Sequence, residues 1–164
     1  MPWIPSPRLV NLLIAMTAAA AMAAALYLQH TVGLEPCPLC IFQRVAVISA
    51  GVIALVAAVH APALTGRRVY AVLTALAAAA GVVVAGRHVW LQHLPLDQVP
   101  ACGPGLDYWM AALPMQEVVR QVFRGSGECA KVDWTLFNVS LPEWTLLLFL
   151  GLLAASIWQL LRRS

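Results

Sequence analysis

The chain has 164 residues, of which 62% are hydrophobic and 10% are charged, and its formal net charge is +3. Soluble domains carry roughly 45–50% apolar and ~25% charged residues, because a small globule must cover most of its surface with polar groups. The composition therefore excludes a soluble enzyme, a disordered tail and a nucleic-acid-binding protein. It predicts an integral membrane protein organised as a single domain over residues 1–164.

Four long stretches contain no charged residue: 9–34, 45–66, 69–86 and 144–161. A helix needs about 20 mainly apolar residues to cross a hydrocarbon core of ~30 Å, and the stretches lack the alternation of membrane β-strands. The pattern predicts an all-α integral membrane protein, a four-transmembrane-helix bundle. The predicted spans cover about residues 9–28, 41–60, 69–86 and 144–161, and the outer loops cover about 29–40 and 87–143.

The basic residues are distributed unequally between the two sides of this bundle. The side with both termini has five arginines and no acidic residue, namely Arg8, Arg67, Arg68, Arg162 and Arg163. The positive-inside rule places that side, with both termini, in the cytoplasm and the long loop outside. A cleaved signal peptide is the alternative for the first stretch, but its apolar core of about 20 residues exceeds the usual 7–15. We expect this stretch to stay uncleaved and to form the first transmembrane helix.

Two further patterns concern packing and the long loop. Alanines recur every four residues in the first span (Ala15, Ala19, Ala23) and in the third (Ala71, Ala75, Ala79), which predicts close helix packing along these stripes. In the loop, a Pro/Gly-rich segment with Pro100, Gly103, Pro104 and Gly105 is expected to be non-helical and mobile. The residues after Pro114 place their apolar side chains on one face, which predicts a short amphipathic helix on the membrane surface that ends near Gly125.

All four cysteines fall on the outer side of the predicted topology. Cys37 and Cys40 form a Cys-x-x-Cys motif where the second span begins, and Cys102 and Cys129 lie in the long loop. An even number on an exported face indicates disulfides in an oxidising compartment. A site with four cysteine ligands for a metal is the rival interpretation. It is disfavoured because such sites show two close pairs and this chain has one, so no metal is expected.

The Cys-x-x-Cys motif has the features of a reactive site. Pro38 suits the first position of a helix, which makes Cys37 the cap and puts Cys40 in the first turn, where the helix dipole favours a thiolate. Arg44 follows on the same helical face and is expected to be functional, although an arginine reaching for lipid headgroups is the alternative. Two cysteine pairs on one face suggest electron relay by disulfide exchange. A membrane quinone is the natural acceptor, because no dinucleotide or haem motif is present.

Several segments resemble a known family, namely residues 37–44 (CPLCIFQR), 126–129 (SGEC), 133–134 (DW) and 141–144 (LPEW). They are similar to the DsbB family of disulfide bond formation proteins, and the resemblance extends over nearly the whole chain. It implies a thiol:quinone oxidoreductase of the bacterial inner membrane that reoxidises a DsbA-like periplasmic thiol oxidase. Ubiquinone or menaquinone, bound non-covalently, would take the electrons. This pathway is a known property of the family and is not deduced from the residues.

The resemblance also implies a role for each cysteine. Cys102 would form the mixed disulfide with the DsbA-like partner, and Cys129 would be its partner in the loop. Cys37 would pair transiently with Cys129, and Cys40 would become the thiolate that contacts the quinone.

Two further residues correspond to quinone-binding positions of the family. Arg44 would polarise a quinone oxygen. His88, at the outer end of the third span, would line the quinone site, with an ordinary interfacial histidine as the alternative. Other functions also stay open at this point, namely a non-catalytic bundle with structural disulfides or a quinone-linked protein of the vitamin K epoxide reductase type.

The charge asymmetry generates a prediction about topology. Reporter fusions at Gly66 and Ser164 are expected to be active in the cytoplasm, and a fusion at Asp107 is expected to be active in the periplasm, because the arginine-rich side is retained inside. Paired alkaline phosphatase and green fluorescent protein fusions measure this. A periplasmic reading at Gly66 contradicts the four-span topology.

Overall fold

The structure is a computed structural model that describes residues 5–95, 97–103 and 105–162. Pro104 and Arg163, used above, lie outside these residues. Within them the helices and strands follow one another as α1 (Pro7–His30), α2 (Pro38–His60), α3 (Leu64–Gln92), α4 (Leu106–Ala112), α5 (Met115–Arg124), α6 (Gly127–Ala130), β1 (Thr135–Leu136), β2 (Val139–Ser140) and α7 (Leu141–Leu161).

Four of the described helices, α1, α2, α3 and α7, are long and apolar enough to cross a membrane. The predicted fold class, an all-α membrane bundle with a short helix in the long loop, is confirmed. The third helix runs from Leu64 to Gln92 and therefore extends beyond the predicted span of 69–86 at both ends. The added turns contain Arg67, Arg68 and Arg87. Charged residues end an apolar stretch without ending a helix, so the loop is shorter than the predicted 87–143.

Local signals set where the long helices begin. The Ser6 hydroxyl accepts a hydrogen bond from the backbone N–H of Leu9 at 3.2 Å, and Pro7 follows it as the first residue of α1. A capping box opens α7, where the backbone N–H of Ser140 donates to Glu143 Oε2 at 2.6 Å. These caps satisfy N–H groups that have no partner within the helix.

The spanning helices pack in the order α1, α2, α3, α7, with each helix against the next. Small residues permit the close approaches: Gly51 of α2 faces Ala18 of α1, and Gly81 of α3 faces the ring of Phe149 of α7. At the end of the bundle away from the cysteines, Gln159 Nε2 of α7 donates to Asn11 Oδ1 of α1 at 2.8 Å. At the cysteine end, a cavity separates α1 from α7.

The predicted alanine stripe of α1 is wrong for two of its three residues, and only Ala15 packs against the core. Ala19 and Ala23 are exposed on the outside of the bundle, and the buried residues of this helix include Ile14 and Ala18. An α-helix has 3.6 residues per turn, so a strict spacing of four drifts around the helix. In α3, by contrast, Ala71 is buried as predicted.

The segment between α3 and α7 contains more structure than predicted. The amphipathic helix itself is confirmed as α5, which ends at Arg124 before Gly125, a residue with φ of +83°. Its predicted position with the apolar face on the membrane surface is not confirmed, because part of that face packs against the rest of the chain. Its side chains Val118 and Val122 are buried against the protein. Two short helices, α4 and α6, and the β1–β2 hairpin were not predicted. The hairpin turns through Phe137 and Asn138, both with positive φ.

Arg87, predicted to lie in the loop, is part of α3 and holds the end of α5. Its guanidinium donates from Nε to the carbonyl oxygen of Phe123 at 2.8 Å and from Nη2 to that of Arg124 at 3.0 Å. The last carbonyls of a helix lack partners within it, so this side chain caps α5 and fixes it to α3.

The close approach at Gly81 generates a prediction about stability. A methyl group at this position would overlap the ring of Phe149, which is fully buried. Gly81→Ala is therefore expected to destabilise the protein by about 1–3 kcal/mol, which is the usual cost of overpacking. Thermal unfolding in detergent measures the effect as a lower Tm. Gly151→Ala, which meets no atom within 4 Å, is the control and is expected to leave Tm unchanged or to raise it. Equal Tm values for the two variants contradict the packing argument.

Candidate functional site

The first turn of α2 holds two of the sulfur atoms. Cys37 is the N-cap, Pro38 is the first helical residue, and Cys40 lies in the first turn, as predicted. All four cysteines are thiols in this structure. Cys37 Sγ donates a hydrogen bond to Cys40 Sγ at 3.2 Å. The positive end of the helix dipole favours negative charge on Cys40.

His88 of α3 lies between these two sulfurs. Its ring is 3% exposed, with Nε2 3.8 Å from Cys37 Sγ and Nδ1 3.9 Å from Cys40 Sγ. The Gln43 side-chain amide Nε2 lies 3.2 Å from Nδ1. If the amide donates to Nδ1, the imidazole carries its proton on Nε2, facing Cys37, and can exchange it with that sulfur. The residue is therefore buried in the site and does not face the lipid headgroups.

Cys129 approaches the same point from the loop. It lies in α6 with 1% of its surface exposed, and its sulfur, Cys37 Sγ and a ring nitrogen of His88 all lie within 4.8 Å of one another. A hydrogen bond to Cys37, together with burial and the neighbouring charge of Cys37, raises the pKa of the Cys129 thiol well above its usual range. Cys129 thus remains a protonated thiol next to Cys37.

Cys102 is the exposed member of the set. Its sulfur lies 2.9 Å from the position that a Cβ on Gly127 would take, so the missing side chain of Gly127 gives it room beside α6. The structure therefore brings Cys37, Cys40 and Cys129 together around His88 and leaves Cys102 accessible at the surface, on the same face of the protein.

Arg44 is bound within the protein. Its guanidinium donates from Nη1 to Gln29 Oε1 and from Nη2 to the carbonyl oxygen of Ala25 at 3.3 Å, both on α1. These bonds hold the guanidinium against α1, one helical turn beyond Cys40 on α2.

A cavity of about 980 Å³ joins these groups. Its polar lining includes Cys37, Cys40, Arg44 and His88. Charged side chains of the loops lie at its outer end, namely Glu35, Glu128, Lys131 and Asp133. Apolar side chains of α1 and α7 form the opposite walls, including Ala21, Met22, Leu28, Leu147 and Leu148. Binding sites for small molecules are usually concave and largely apolar with a few convergent polar groups, and this cavity has that character.

Known proteins resemble this chain over nearly its whole length. The family model for "Disulfide bond formation protein DsbB" matches residues 7–159. A disulfide bond formation protein B of Stutzerimonas stutzeri is 51% identical over 161 residues, which cover 98% of this chain and 99% of the relative. One from Acinetobacter baumannii is 54% identical over 158 residues (96% and 92%), and disulfide bond formation protein B 1 of Pseudomonas aeruginosa is 53% identical over 161 residues (98% and 99%).

The chain belongs to the DsbB family. The resemblance inferred from the sequence is confirmed, and the four spanning helices fit a multi-pass membrane protein of a family named for disulfide bond formation. The roles of Cys37, Cys40, Cys102, Cys129, Arg44 and His88, the quinone and the DsbA-like partner stay predictions.

Sequence reasoning missed three residues of this DsbB-family site. Gln43 is 5% exposed and contacts His88, and Gln29 binds the guanidinium of Arg44. Polar residues in a spanning helix are costly unless they have partners, and this signal could have identified Gln43. Gly127 carried no such signal, because its role depends on a neighbour distant in the chain.

The raised pKa of Cys129 generates a prediction about reactivity. In reduced protein with a chelator present, iodoacetamide is expected to modify exposed Cys102 first and buried Cys129 last. A raised pKa keeps the thiolate scarce, so the rate at Cys129 should still increase well above the ordinary thiol pKa of ~8.5. Peptide mass spectrometry across a pH series measures both rates.

A variant and a control sharpen this measurement. Cys37→Ala removes the hydrogen bond that contributes most to the shift, so the pH profile of Cys129 is expected to move to lower pH. The urea-denatured chain gives the unperturbed profile. If the modification rate of Cys129 levels off at the same pH in the folded protein and in the denatured chain, then burial and Cys37 do not raise the pKa of this thiol.

Proposed function

We propose that the chain is a thiol:quinone oxidoreductase of the bacterial inner membrane that reoxidises a DsbA-like periplasmic thiol oxidase. The observation that carries the proposal is the row of sulfur atoms from Cys129 through Cys37 to Cys40, which ends at a cavity between membrane helices. The exposed Cys102 gives a soluble partner access to one end of this row. Both termini would lie in the cytoplasm and the cysteines in the periplasm, in accord with the distribution of arginines.

In the first exchange, a disulfide between Cys102 and Cys129 oxidises the partner. A thiolate of the reduced partner attacks Cys102, which forms a mixed disulfide and releases the Cys129 sulfur. The partner's second thiolate then attacks the mixed disulfide, so the partner leaves with its own disulfide. Cys102 and Cys129 now hold the electron pair.

In the second exchange, the electrons move to the Cys-x-x-Cys pair. Cys129 gives up its proton, for which the nearby ring of His88 is an acceptor, and its thiolate attacks Cys37 of the Cys37–Cys40 disulfide and releases the Cys40 sulfur. The contact between Cys129, Cys37 and His88 supports this step. Cys102 then attacks Cys129, which restores the loop disulfide and releases Cys37. The result is a reduced Cys37–Cys40 pair, with His88 close enough to both sulfurs to receive or supply a proton.

The cavity residues fit a quinone. When bound, ubiquinone or menaquinone supplies the oxidation, taking two electrons and two protons from the Cys37–Cys40 pair and restoring its disulfide. The guanidinium of Arg44 and the imidazole of His88 would hold the polar ring, and the apolar walls from α1 and α7 would take the isoprenoid tail. Gln29 orients Arg44, and Gln43 orients His88. Because Arg44 has a planar fork of donors, it suits a carbonyl oxygen better than a lysine does.

The first prediction from this proposal concerns the entry cysteine. In Cys129→Ala, Cys102 can attack the disulfide of the oxidised partner, which forms a mixed disulfide and releases the partner's second thiol. The chain then has no thiol in the loop that could displace the partner from Cys102. A mixed disulfide is therefore expected to accumulate, visible on a non-reducing gel as a heavier band that reductant removes. Cys102→Ala is the matched variant and is expected to form no such band. Equal trapping by both variants makes the assignment wrong, and trapping by neither favours a bundle with structural disulfides.

The second prediction concerns Arg44. Arg44→Lys keeps the charge but loses the bidentate fork, so the apparent KM for quinone is expected to rise while exchange with the partner is largely kept. Arg44→Ala is expected to do more harm, because it also removes the charge near Cys40. Quinone reduction by the reduced partner, measured over a quinone titration, tests both variants.

A control separates this effect from a general loss of charge. Arg120→Ala removes an exposed loop arginine paired with Glu117 at 2.9 Å, and wild-type kinetics are expected. If both Arg44 variants match wild type at every quinone concentration, Arg44 does not contribute to the site.

A further inference from the structure

The geometry points to a second property of the cysteine cluster: we propose that the reduced chain binds one Zn²⁺ ion through Cys37, Cys129, His88 and Cys40. The first three offer two sulfurs and a ring nitrogen that lie within 4.8 Å of one another. Cys40 Sγ is 3.2 Å from Cys37 Sγ and can supply the fourth ligand. This inference does not rest on electron transfer to a quinone.

The distances suit a tetrahedral ion. Zinc binds sulfur at ≈ 2.3 Å and imidazole nitrogen at ≈ 2.0–2.1 Å, so two ligand atoms of one tetrahedron lie roughly 3.5–3.8 Å apart. Cys37 Sγ and His88 Nε2 are 3.8 Å apart, and the separations of Cys129 from these two atoms, at most 4.8 Å, need shifts of about an ångström. Cys40, whose sulfur lies nearer to Nδ1 of His88, would have to turn toward Nε2 to complete the tetrahedron. Three thiolates and one imidazole are a common structural zinc set, whereas Mg²⁺ and Ca²⁺ require oxygen ligands.

The four-cysteine site considered from the sequence is not this site. Cys102 is exposed and lies outside the group, and His88 takes the fourth place in the ligand set. Only one close cysteine pair exists along the chain, whereas the ligands of the present set come together from the N-terminus of α2, from α3 and from α6. A histidine 51 positions from Cys37 completes a set that the motif spacing alone does not suggest.

The surroundings of the cluster fit a bound cation. Zinc-binding histidines usually have their second ring nitrogen fixed by a hydrogen bond, and the side-chain amide of Gln43 lies 3.2 Å from Nδ1 of His88. With Nε2 on the ion, Nδ1 carries the proton, so the amide would turn its oxygen toward Nδ1 to accept it. Three thiolates with Zn²⁺ carry one net negative charge, and Arg44 is close enough to Cys40 to interact with it electrostatically. The cavity that reaches Cys37, Cys40 and His88 provides an entry path.

Binding requires the thiols and transfers no electrons. Zn²⁺ replaces the protons of Cys37, Cys40 and Cys129, which pass to the solvent. A disulfide that includes any of these cysteines removes ligands from the set. Conversely, a chain that carries Zn²⁺ cannot form the Cys37–Cys40 bond until the ion leaves. Zinc would therefore hold the protein in its reduced form.

Cobalt titration of the full-length protein in detergent tests this proposal. The chain is reduced with a phosphine, and neither quinone nor partner is added, so the result is independent of the proposed oxidoreductase activity. Reduced wild type is expected to bind one Co²⁺ per chain, with the visible bands of a tetrahedral site and a thiolate-to-cobalt charge-transfer band. One equivalent of Zn²⁺ should remove both signals. The disulfide-oxidised wild type, which has the same sequence, should show neither.

Variants identify the ligands. His88→Ala and Cys129→Ser are expected to weaken binding by more than about 100-fold, since even the loss of an outer-shell partner costs ~10–100-fold. His93→Ala and Cys102→Ser are the matched controls and should bind as wild type does, because His93 bonds the carbonyl of Val89 and Cys102 lies outside the cluster. Circular dichroism confirms that each variant is helical.

Three results overturn the proposal. The first is reduced wild type without a charge-transfer band. The second is equal Co²⁺ binding by reduced and oxidised wild type. The third is a folded His88→Ala variant with wild-type affinity. The first two need no substitution, so the proposal can be rejected even if His88→Ala does not fold.

Discussion

The contact between His88 of α3 and the two sulfurs at the start of α2 is the interaction on which the rest of the site depends. A polar ring is costly within a bundle of apolar helices unless its nitrogens have partners. Here Cys37, Cys40 and Gln43 all lie on α2, so the ring can be satisfied only when α2 and α3 pack in one register. The same packing places Cys37 where α6 can bring Cys129 against it. One buried group thus sets both the helix register and the order of the sulfurs.

The loop between α3 and α7 is attached to the bundle at two points, and each uses a polar side chain of α3. Arg87 caps the end of α5, and Gln92 donates to the carbonyl oxygen of Lys131 at 3.3 Å while accepting from the Ser140 hydroxyl at 2.8 Å. The short helix α6, which carries Cys129, lies between these attachments. Its sulfur is therefore held against Cys37 by bonds on both sides and not by the fold of α6 itself, which is a single turn.

Most of the fold could be predicted from the sequence because a lipid environment leaves few alternatives to a helix. The ends of α3 could not, because Arg67 and Arg87 interrupt an apolar stretch but are compatible with a helix. The packing predicted at Ala19 and Ala23 was wrong, because alanine is small and apolar and can therefore lie against lipid as well as against another helix. The short helices α4 and α6 lack enough turns to show a period. Within the site, the cap at Cys37 was local and predictable, whereas the approach of Cys129 to Cys37 depends on tertiary packing that no spacing in the chain reveals.

Gly127 has a consequence for how Cys102 meets other molecules. The sulfur of Cys102 rests against a backbone without a side chain, so shape rather than interlocking side chains holds it there. Leaving such a resting place costs only contact area, and loop motions of this kind occur within nanoseconds to microseconds. No side chain of α6 has to move aside before the exposed thiol of Cys102 can meet another protein. The rate of productive contact would then be limited by the approach of the other protein and not by a conformational change of this chain.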